Sequence, residues 1–202
     1  IENGVSQGFN QLLPYPIVVS ILNIFITVAF VEEFLKYLVF KEKVLNSSHL
    51  DEPVDVMLYM IIAALGFAAF ENILLLLSLS SSTLIQNIFF LALLRFVGAT
   101  FLHALSSGLV GYFLALSFLK TKIKNGLVFT GLLIATLLHG FYNLSIIKMG
   151  EALQEINGQL EILNSQSFIA FAILIAATLI GLALFVTFGF KKLKLIKSIC
   201  ET

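Results

Sequence analysis

The chain has 202 residues, of which 59% are hydrophobic and 12% are charged, and its mean hydropathy is +1.01. A charged fraction about half that of an ordinary soluble domain excludes a water-soluble globular protein. The 12 Lys and Arg residues balance 12 Asp and Glu residues, so there is no basic surplus to bind nucleic acid. The single cysteine, Cys200, excludes an internal disulfide and a cysteine-based zinc site.

Four apolar stretches are long enough to cross a bilayer as helices, which takes about 20 residues because backbone polar groups must be satisfied internally. They cover residues 17–40, 56–79, 126–147 and 168–190. The stretch 84–119 has 36 residues and predicts either one overlong, tilted helix or two helices broken near Gly98. We favour one helix. The predicted fold class is therefore an all-α polytopic membrane helix bundle with five spans, six being the alternative.

The positions of the lysines predict the orientation of the chain, because short cytoplasmic loops collect Lys and Arg. The basic tail at 191–197 predicts a cytoplasmic C-terminus. With five spans, the segment 148–167 then lies outside, whereas Lys41, Lys43 and the loop 120–124 lie inside, and the first residues of the chain lie outside. With six spans, Lys41 and Lys43 would lie outside.

No internal repeat, low-complexity run or Pro/Gly linker divides the sequence, so residues 1–202 are predicted to form one integral membrane domain. Within it we distinguish a candidate catalytic core at 16–147, an outer loop at 148–167, and a last helix with its basic cytoplasmic tail at 168–202. Apolar residues of the outer loop recur at helix-like spacing, which predicts a helix on the membrane surface or, with equal weight, a solvated loop. These residues are Leu153, Ile156, Leu160 and Leu163. Because the chain begins at Ile1 without a methionine, we expect it to be a trimmed or processed form.

Seven acidic, basic or imidazole side chains fall inside the predicted spans, where each charge costs at least about 2.5 to 3.5 kcal/mol on insertion scales. They are Glu32, Glu33, Lys36, Glu71, Arg95, His103 and His139. Ion pairing that fixes the register of the helices would explain part of this set. With five spans, however, Glu71, His103 and His139 lie 15, 16 and 13 residues from the inner ends of their spans. This common depth, with Glu33 somewhat lower, predicts one shared polar cluster.

The spacing of these residues indicates chemistry beyond ion pairing. Lys36 follows Glu32 at i,i+4 and Glu33 at i,i+3, so it can contact either carboxylate on one helix face. Two adjacent carboxylates repel each other in a low dielectric, which suits one of them to proton transfer. His139 and Asn143 also share a helix face at i,i+4. A single His-x-x-x-Asn pair is a weak signal, because an intramembrane histidine often only hydrogen-bonds a neighbouring carbonyl.

Four motifs follow one another on successive apolar segments: Glu-Glu-Phe-Leu-Lys at 32–36, Gly-Phe-Ala-Ala-Phe-Glu-Asn at 66–72, His-Ala-Leu-Ser-Ser-Gly at 103–108 and His-Gly-Phe-Tyr-Asn at 139–143. In this order they resemble the PrsW family of intramembrane proteases, which is related to the CAAX-processing and bacteriocin-processing membrane proteases. The resemblance covers about residues 24–143. One departure is Leu75, where the family often has a tyrosine. Members commonly have a further N-terminal membrane segment, which would fit a chain that starts at Ile1.

The resemblance implies an intramembrane endopeptidase that hydrolyses a peptide bond of a membrane protein or peptide. Glu33, preferred over Glu32 by a small margin, would activate a water molecule. His103 and His139 would bind or polarise that water or the substrate, and Asn143 would donate to the oxyanion. The supporting residues would be Lys36, Glu71, Asn72 and Arg95.

The resemblance leaves the cofactor open, since the family has been described both as metal-dependent and as glutamate-type. We favour catalysis without a cofactor, because no HExxH motif supplies two zinc ligands and a base from one helical turn. The alternative is zinc held by His103, His139 and Glu33. The implied location is a prokaryotic cytoplasmic membrane.

Other intramembrane protease designs do not fit the sequence. Ser106 and Ser107 follow Ala-Leu rather than the Gly-x-Ser-Gly of a rhomboid-like protease, and we interpret them as small packing residues. A presenilin-like protease needs two membrane aspartates, whereas Asp51 and Asp55 lie in or beside a loop. Two further functions remain open: a proton-coupled transporter, which also uses buried Glu and His residues, and a non-catalytic membrane-protein binder or regulator.

Overall fold

The computed structural model describes residues 16–45, 47–78, 85–119, 124–156, 159–162 and 164–196. The first span consists of α1 (Pro16–Leu22), a π-helical stretch (Asn23–Phe30) and α2 (Val31–Lys43). It is followed by α3 (Pro53–Ser78), α4 (Ile85–Leu119), α5 (Lys124–Glu151), the strands β1 (Leu153–Ile156) and β2 (Gln159–Ile162), and α6 (Ser165–Leu193).

Five helical segments within the described residues are long and apolar enough to cross a membrane, which confirms the all-α membrane bundle predicted from the sequence. Their bounds are Ile17–Lys43, Pro53–Leu77, Val97–Leu119, Asn125–Glu151 and Ser165–Leu193. Six of the ten ends lie one to four residues beyond the predicted spans, because polar residues of the flanking segments continue the helices. The helix that contains Val97–Leu119 begins at Ile85.

The overlong apolar stretch forms one helix. Helix α4 has 35 residues without interruption, roughly 52 Å at 1.5 Å per residue. The helix passes through Gly98 without breaking. A Cβ at Gly98 would collide with the hydroxyl of Tyr142 on α5, so this glycine allows a close approach of the two helices.

Helix α4 is also the centre of the bundle. Its segment Val97–Leu119 is far more buried than the other four spans, and it packs against α3, α5 and α6. Its Leu109 and Val110 belong to one hydrophobic core together with Met57 and Met60 of α3 and Val186 of α6. A polar residue on the buried face of α4 therefore meets neighbouring helices rather than lipid.

The segment between α5 and α6 differs from both sequence expectations. Helix α5 continues to Glu151, and β1 and β2 then form an antiparallel hairpin in which Leu153 pairs with Ile162 and Ile156 with Gln159. Residues 157 and 158, between the strands, are Asn-Gly, the dipeptide most typical of two-residue hairpin loops. Helix α6 then begins at Ser165, where the Asn164 side chain accepts a hydrogen bond from the Ser167 backbone at 3.0 Å.

Candidate active site

A cluster of polar side chains lies in the middle of the bundle, where four helices meet. Helix α2 contributes Glu32, Glu33 and Lys36, and α3 contributes Glu71. Helix α4 contributes His103, Ser106 and Ser107, and α5 contributes His139. All of them except Glu32 and Glu71 are buried. The π-helical stretch ends two residues before Glu32, and π-helical turns are frequent at functional sites.

Glu33 is the carboxylate at the centre of this cluster, and it is 0% exposed. Its Oε1 accepts hydrogen bonds from Lys36 Nζ at 2.7 Å, His139 Nδ1 at 2.9 Å and Ser106 Oγ at 3.0 Å. Its Oε2 accepts from Ser107 Oγ at 3.4 Å. Both oxygens of Glu33 are therefore engaged by protein donors, as a buried carboxylate requires.

Lys36 joins this carboxylate to the first histidine. Its Nζ lies 2.6 Å from His103 Nδ1 and 4.8 Å from the centre of the Phe67 ring. Because an ammonium group only donates, His103 Nδ1 must accept, and the ring then carries its hydrogen on Nε2. That nitrogen lies 2.9 Å from Glu71 Oε2, which accepts the hydrogen bond. The two contacts together assign one tautomer to His103.

The second histidine points its other nitrogen toward Glu32. His139 Nδ1 donates to Glu33, so His139 Nε2 is the nitrogen left for other contacts, and it lies 3.7 Å from Glu32 Oε2. The same Glu32 oxygen lies 3.9 Å from His103 Nδ1. The two imidazole rings meet edge to face with their centres 5.0 Å apart.

Glu32 is the carboxylate without a hydrogen bond. Its Oε2 is buried and has no partner among the described residues, although the side chain as a whole is 16% exposed. Adjacent residues on a helix differ in direction by about 100°, so Glu33 lies within the cluster while Glu32 borders open space.

That space is a cavity of about 410 Å³. Its polar lining comes from Glu32, Glu71, His103, His139 and Asn143. The rest of the lining is largely apolar and includes Ile24, Val28, Leu102, Ile146, Ile147 and Met149. The lining reaches from His139 to Gly150 along α5, roughly 16 Å at 1.5 Å per residue. A cavity of this size and composition is typical of a ligand-binding site.

One group of side chains in the described part of the chain has the geometry of a metal site: Glu32, His103 and His139 offer one ligand atom each, all within 4.8 Å of one another. This set differs from the one expected from the sequence, which was His103, His139 and Glu33, and both oxygens of Glu33 are used by protein donors. His139 Nε2 and Glu32 are open toward the cavity. His103 is not, since Lys36 contacts its Nδ1 and Glu71 its Nε2. As placed, the residues fit a metal ion only in part.

Two of the supporting residues predicted from the sequence are Asn72 and Arg95. Asn72 Nδ2 donates to Thr100 Oγ1 at 3.2 Å, a contact between α3 and α4. The Arg95 side chain lies outside the described residues.

The sequence predicts Ser106 and Ser107 as packing residues, whereas in the structure both donate hydrogen bonds to Glu33. Their spacing of i+3 and i+4 from His103, which puts them on its helix face, is the signal that would have found them.

Comparison with known proteins agrees with the four motifs. Residues 2–188 match the family described as PrsW family intramembrane metalloprotease. This chain belongs to the PrsW family. Two PrsW proteins named Protease PrsW, from Oceanobacillus iheyensis and Geobacillus kaustophilus, are each 33% identical to it. The matches cover 71% and 59% of this chain, respectively.

The chain spans 60% and 49% of the lengths of these two PrsW relatives. No solved structure matches it. The family and the five apolar helices make this chain an integral multi-pass protein of a prokaryotic membrane. The resemblance seen in the sequence is thus confirmed at the level of family and location.

Proposed function

We propose that this chain carries the active site of an intramembrane endopeptidase that hydrolyses a peptide bond of a membrane protein or peptide. The observation that carries the proposal is Glu32, whose carboxylate lacks a hydrogen-bond partner among the described residues and borders an apolar cavity. The names of the family and of its two relatives support the same reaction class.

We assign the general base to Glu32 rather than to Glu33, which the sequence favoured by a small margin. A base must reach the proton that it removes, either directly or through one water molecule. Glu33 is 0% exposed and already accepts four hydrogen bonds. Glu32 lines the cavity and accepts no hydrogen bond within the described part of the chain, so it can take the proton of a water molecule bound there.

His139 is the partner of Glu32 in this proposal. Its Nε2 lies 3.7 Å from Glu32 Oε2, and both side chains line the cavity in which the reacting water molecule would bind. Glu33 accepts the hydrogen on Nδ1 and thereby holds the imidazole in this orientation. The water oxygen attacks the peptide carbonyl as Glu32 takes the proton, and the leaving amine then receives that proton.

Asn143 is proposed to stabilise the oxyanion. It lies one helical turn beyond His139 and lines the same cavity, and its amide is a neutral donor. His103 is proposed to border the reacting groups while Lys36 and Glu71 hold its ring. Because the cavity lining is largely apolar, these interactions act in a low dielectric and are stronger than in water.

The cofactor belongs to the proposal as well. The family description names a metal, but the donor set fits one only in part, since Lys36 contacts the nitrogen of His103 that a metal would need. We therefore propose a glutamate-activated water, with no step through a metal ion.

The test is proteolysis by the purified protein in water enriched in ¹⁸O. Membranes of the source organism with the gene deleted serve as substrate, and mass spectrometry identifies new peptide termini. We expect new C-termini that carry ¹⁸O with the wild type, and their loss with Glu32→Gln, a change that keeps the size of the side chain. Equal cleavage by folded Glu32→Gln would refute the assignment of the base, and no cleavage by folded wild type would refute the proposed reaction.

A further inference from the structure

The two histidines of the active site are arranged as metal-binding histidines usually are. Each donates the hydrogen of one ring nitrogen to a carboxylate: His139 to Glu33 and His103 to Glu71, both at 2.9 Å. Such carboxylate partners orient histidines that bind zinc. The other nitrogen of each ring faces Glu32 Oε2, at 3.7 Å for His139 and 3.9 Å for His103.

These separations are close to those of a zinc site. Tetrahedral zinc with bonds of about 2.0 to 2.1 Å holds its ligand atoms roughly 3.3 Å apart. The distances from Glu32 to the two histidines exceed this value by less than 1 Å, and all three ligand atoms lie within 4.8 Å of one another, so small rotations of the three side chains would bring them to bonding distance of one ion. Geometry alone would therefore admit a zinc ion between these three side chains.

Lys36 prevents this. Its ammonium lies 2.6 Å from His103 Nδ1 and uses the lone pair that a metal would need. A positive charge at this distance also repels a second cation in a low dielectric. Lys36 is 1% exposed and paired with the fully buried Glu33, so its withdrawal would break a buried ion pair.

We propose that Lys36 is a built-in cation that closes a latent zinc site formed by Glu32, His103 and His139. In the wild-type chain the lysine engages His103 Nδ1, the nitrogen that would be one of the three ligand atoms. Removal of its ammonium exposes His103 Nδ1 and makes the site a zinc ligand set of two histidines and one carboxylate, which is typical of zinc enzymes. The inference rests on the proposed function, because it explains how Glu32 acts on water without a metal.

The test measures zinc binding by the purified full chain in detergent, with no substrate present. Wild type and Lys36→Met are titrated with zinc chloride by calorimetry, and bound metal is counted by mass spectrometry after dialysis. Methionine keeps the length and removes the charge. We expect one zinc ion per chain in Lys36→Met, bound at least about tenfold more tightly than by the wild type. His103→Gln in the Lys36→Met background should abolish this gain.

A second variant protects the test against misfolding. Glu33→Gln with Lys36→Met removes both charges of the buried pair and should bind zinc as Lys36→Met does. The proposal is overturned if wild type binds one zinc ion per chain as tightly as Lys36→Met, or if neither folded variant binds zinc. Should both variants misfold, the wild type decides: tight stoichiometric zinc that His103→Gln removes overturns the proposal, and its absence supports it. Zinc binding is measured here without proteolysis, so the two proposals can fail separately. A wild type that cleaves nothing in the ¹⁸O assay and binds no zinc here would refute the proposed function and leave this inference standing.

Discussion

The two adjacent glutamates should respond in opposite ways to the same substitution, Glu33→Gln affecting stability and Glu32→Gln affecting activity. Glu33→Gln removes the negative charge beside Lys36, whose side chain is 0% exposed. Breaking a buried ion pair by neutralising one partner costs about 3 to 5 kcal/mol, because the remaining charge stays buried without compensation. Hydrogen bonds of Glu33 from Ser106 and His139, at 3.0 and 2.9 Å, would be weakened as well.

Glu32→Gln should cost much less stability, less than about 1 kcal/mol. Glu32 makes no hydrogen bond in the described part of the chain and is 16% exposed, so its replacement breaks no such contact. Its rate of proteolysis should instead fall by about 10² to 10⁴-fold, the usual contribution of a positioned general base.

Equilibrium unfolding in mixed detergent micelles of increasing SDS content measures the stability of both variants, and the ¹⁸O assay measures their activity. Glu33→Gln with Lys36→Met is the matched control, since it removes both charges and should recover most of the lost stability. A stable Glu33→Gln beside a destabilised Glu32→Gln would refute the assignment of Glu33 as the buried ion-paired carboxylate. Unchanged stability in both would show that Lys36 does not depend on either glutamate.

Three further predictions concern packing and orientation. Ser106→Ala should lower the free energy of unfolding by about 1.5 to 3 kcal/mol, the range for a hydrogen bond to a charged group. Ser107→Ala should lower it less, because its contact to the Glu33 carboxylate is 3.4 rather than 3.0 Å. The same unfolding assay ranks the two variants, and equal values would contradict the geometry. Gly140→Ala places a methyl group into an aromatic ring of the first span and should cost about 1 to 3 kcal/mol, whereas Gly66→Ala, with open space at its Cβ, should not destabilise. With the native cysteine replaced by serine, a cysteine at Gln166 should react with an impermeant maleimide on intact cells, and reaction only after lysis would reverse the predicted orientation.

The sequence by itself determined the architecture. Hydropathy is a local property, and about 20 apolar residues are needed for each crossing, so the five spans could be located from composition along the chain. The common depth of Glu71, His103 and His139 favoured one helix over two in the long apolar stretch, and α4 is one helix. The four motifs also identified the family.

Two local sequence signals mark features that the apolar periodicity does not predict. The hairpin of β1 and β2 was expected as a helix or a solvated loop, although Asn157 and Gly158 stand between the paired strands. The spacing of Leu153 and Ile156 was compatible with a helix, and periodicity over so few residues does not distinguish the two structures. Asn164 likewise marked the start of α6, three residues earlier than expected.

Only the tertiary structure decided which glutamate borders the cavity. Glu32 and Glu33 have identical side chains. Which of them borders the cavity depends on the rotation of α2 about its axis. Packing against other helices sets this rotation, and α2 directly follows the π-helical stretch. Three of the four donors that engage Glu33 come from residues 73, 74 and 106 positions away, on α4 and α5, whereas Lys36 lies one turn along the same helix. The contact of Lys36 with His103, 67 residues away, also has no signature in the sequence. Residue types indicate which groups can exchange protons or bind a metal, whereas the helix packing determines which of them remain open to do so.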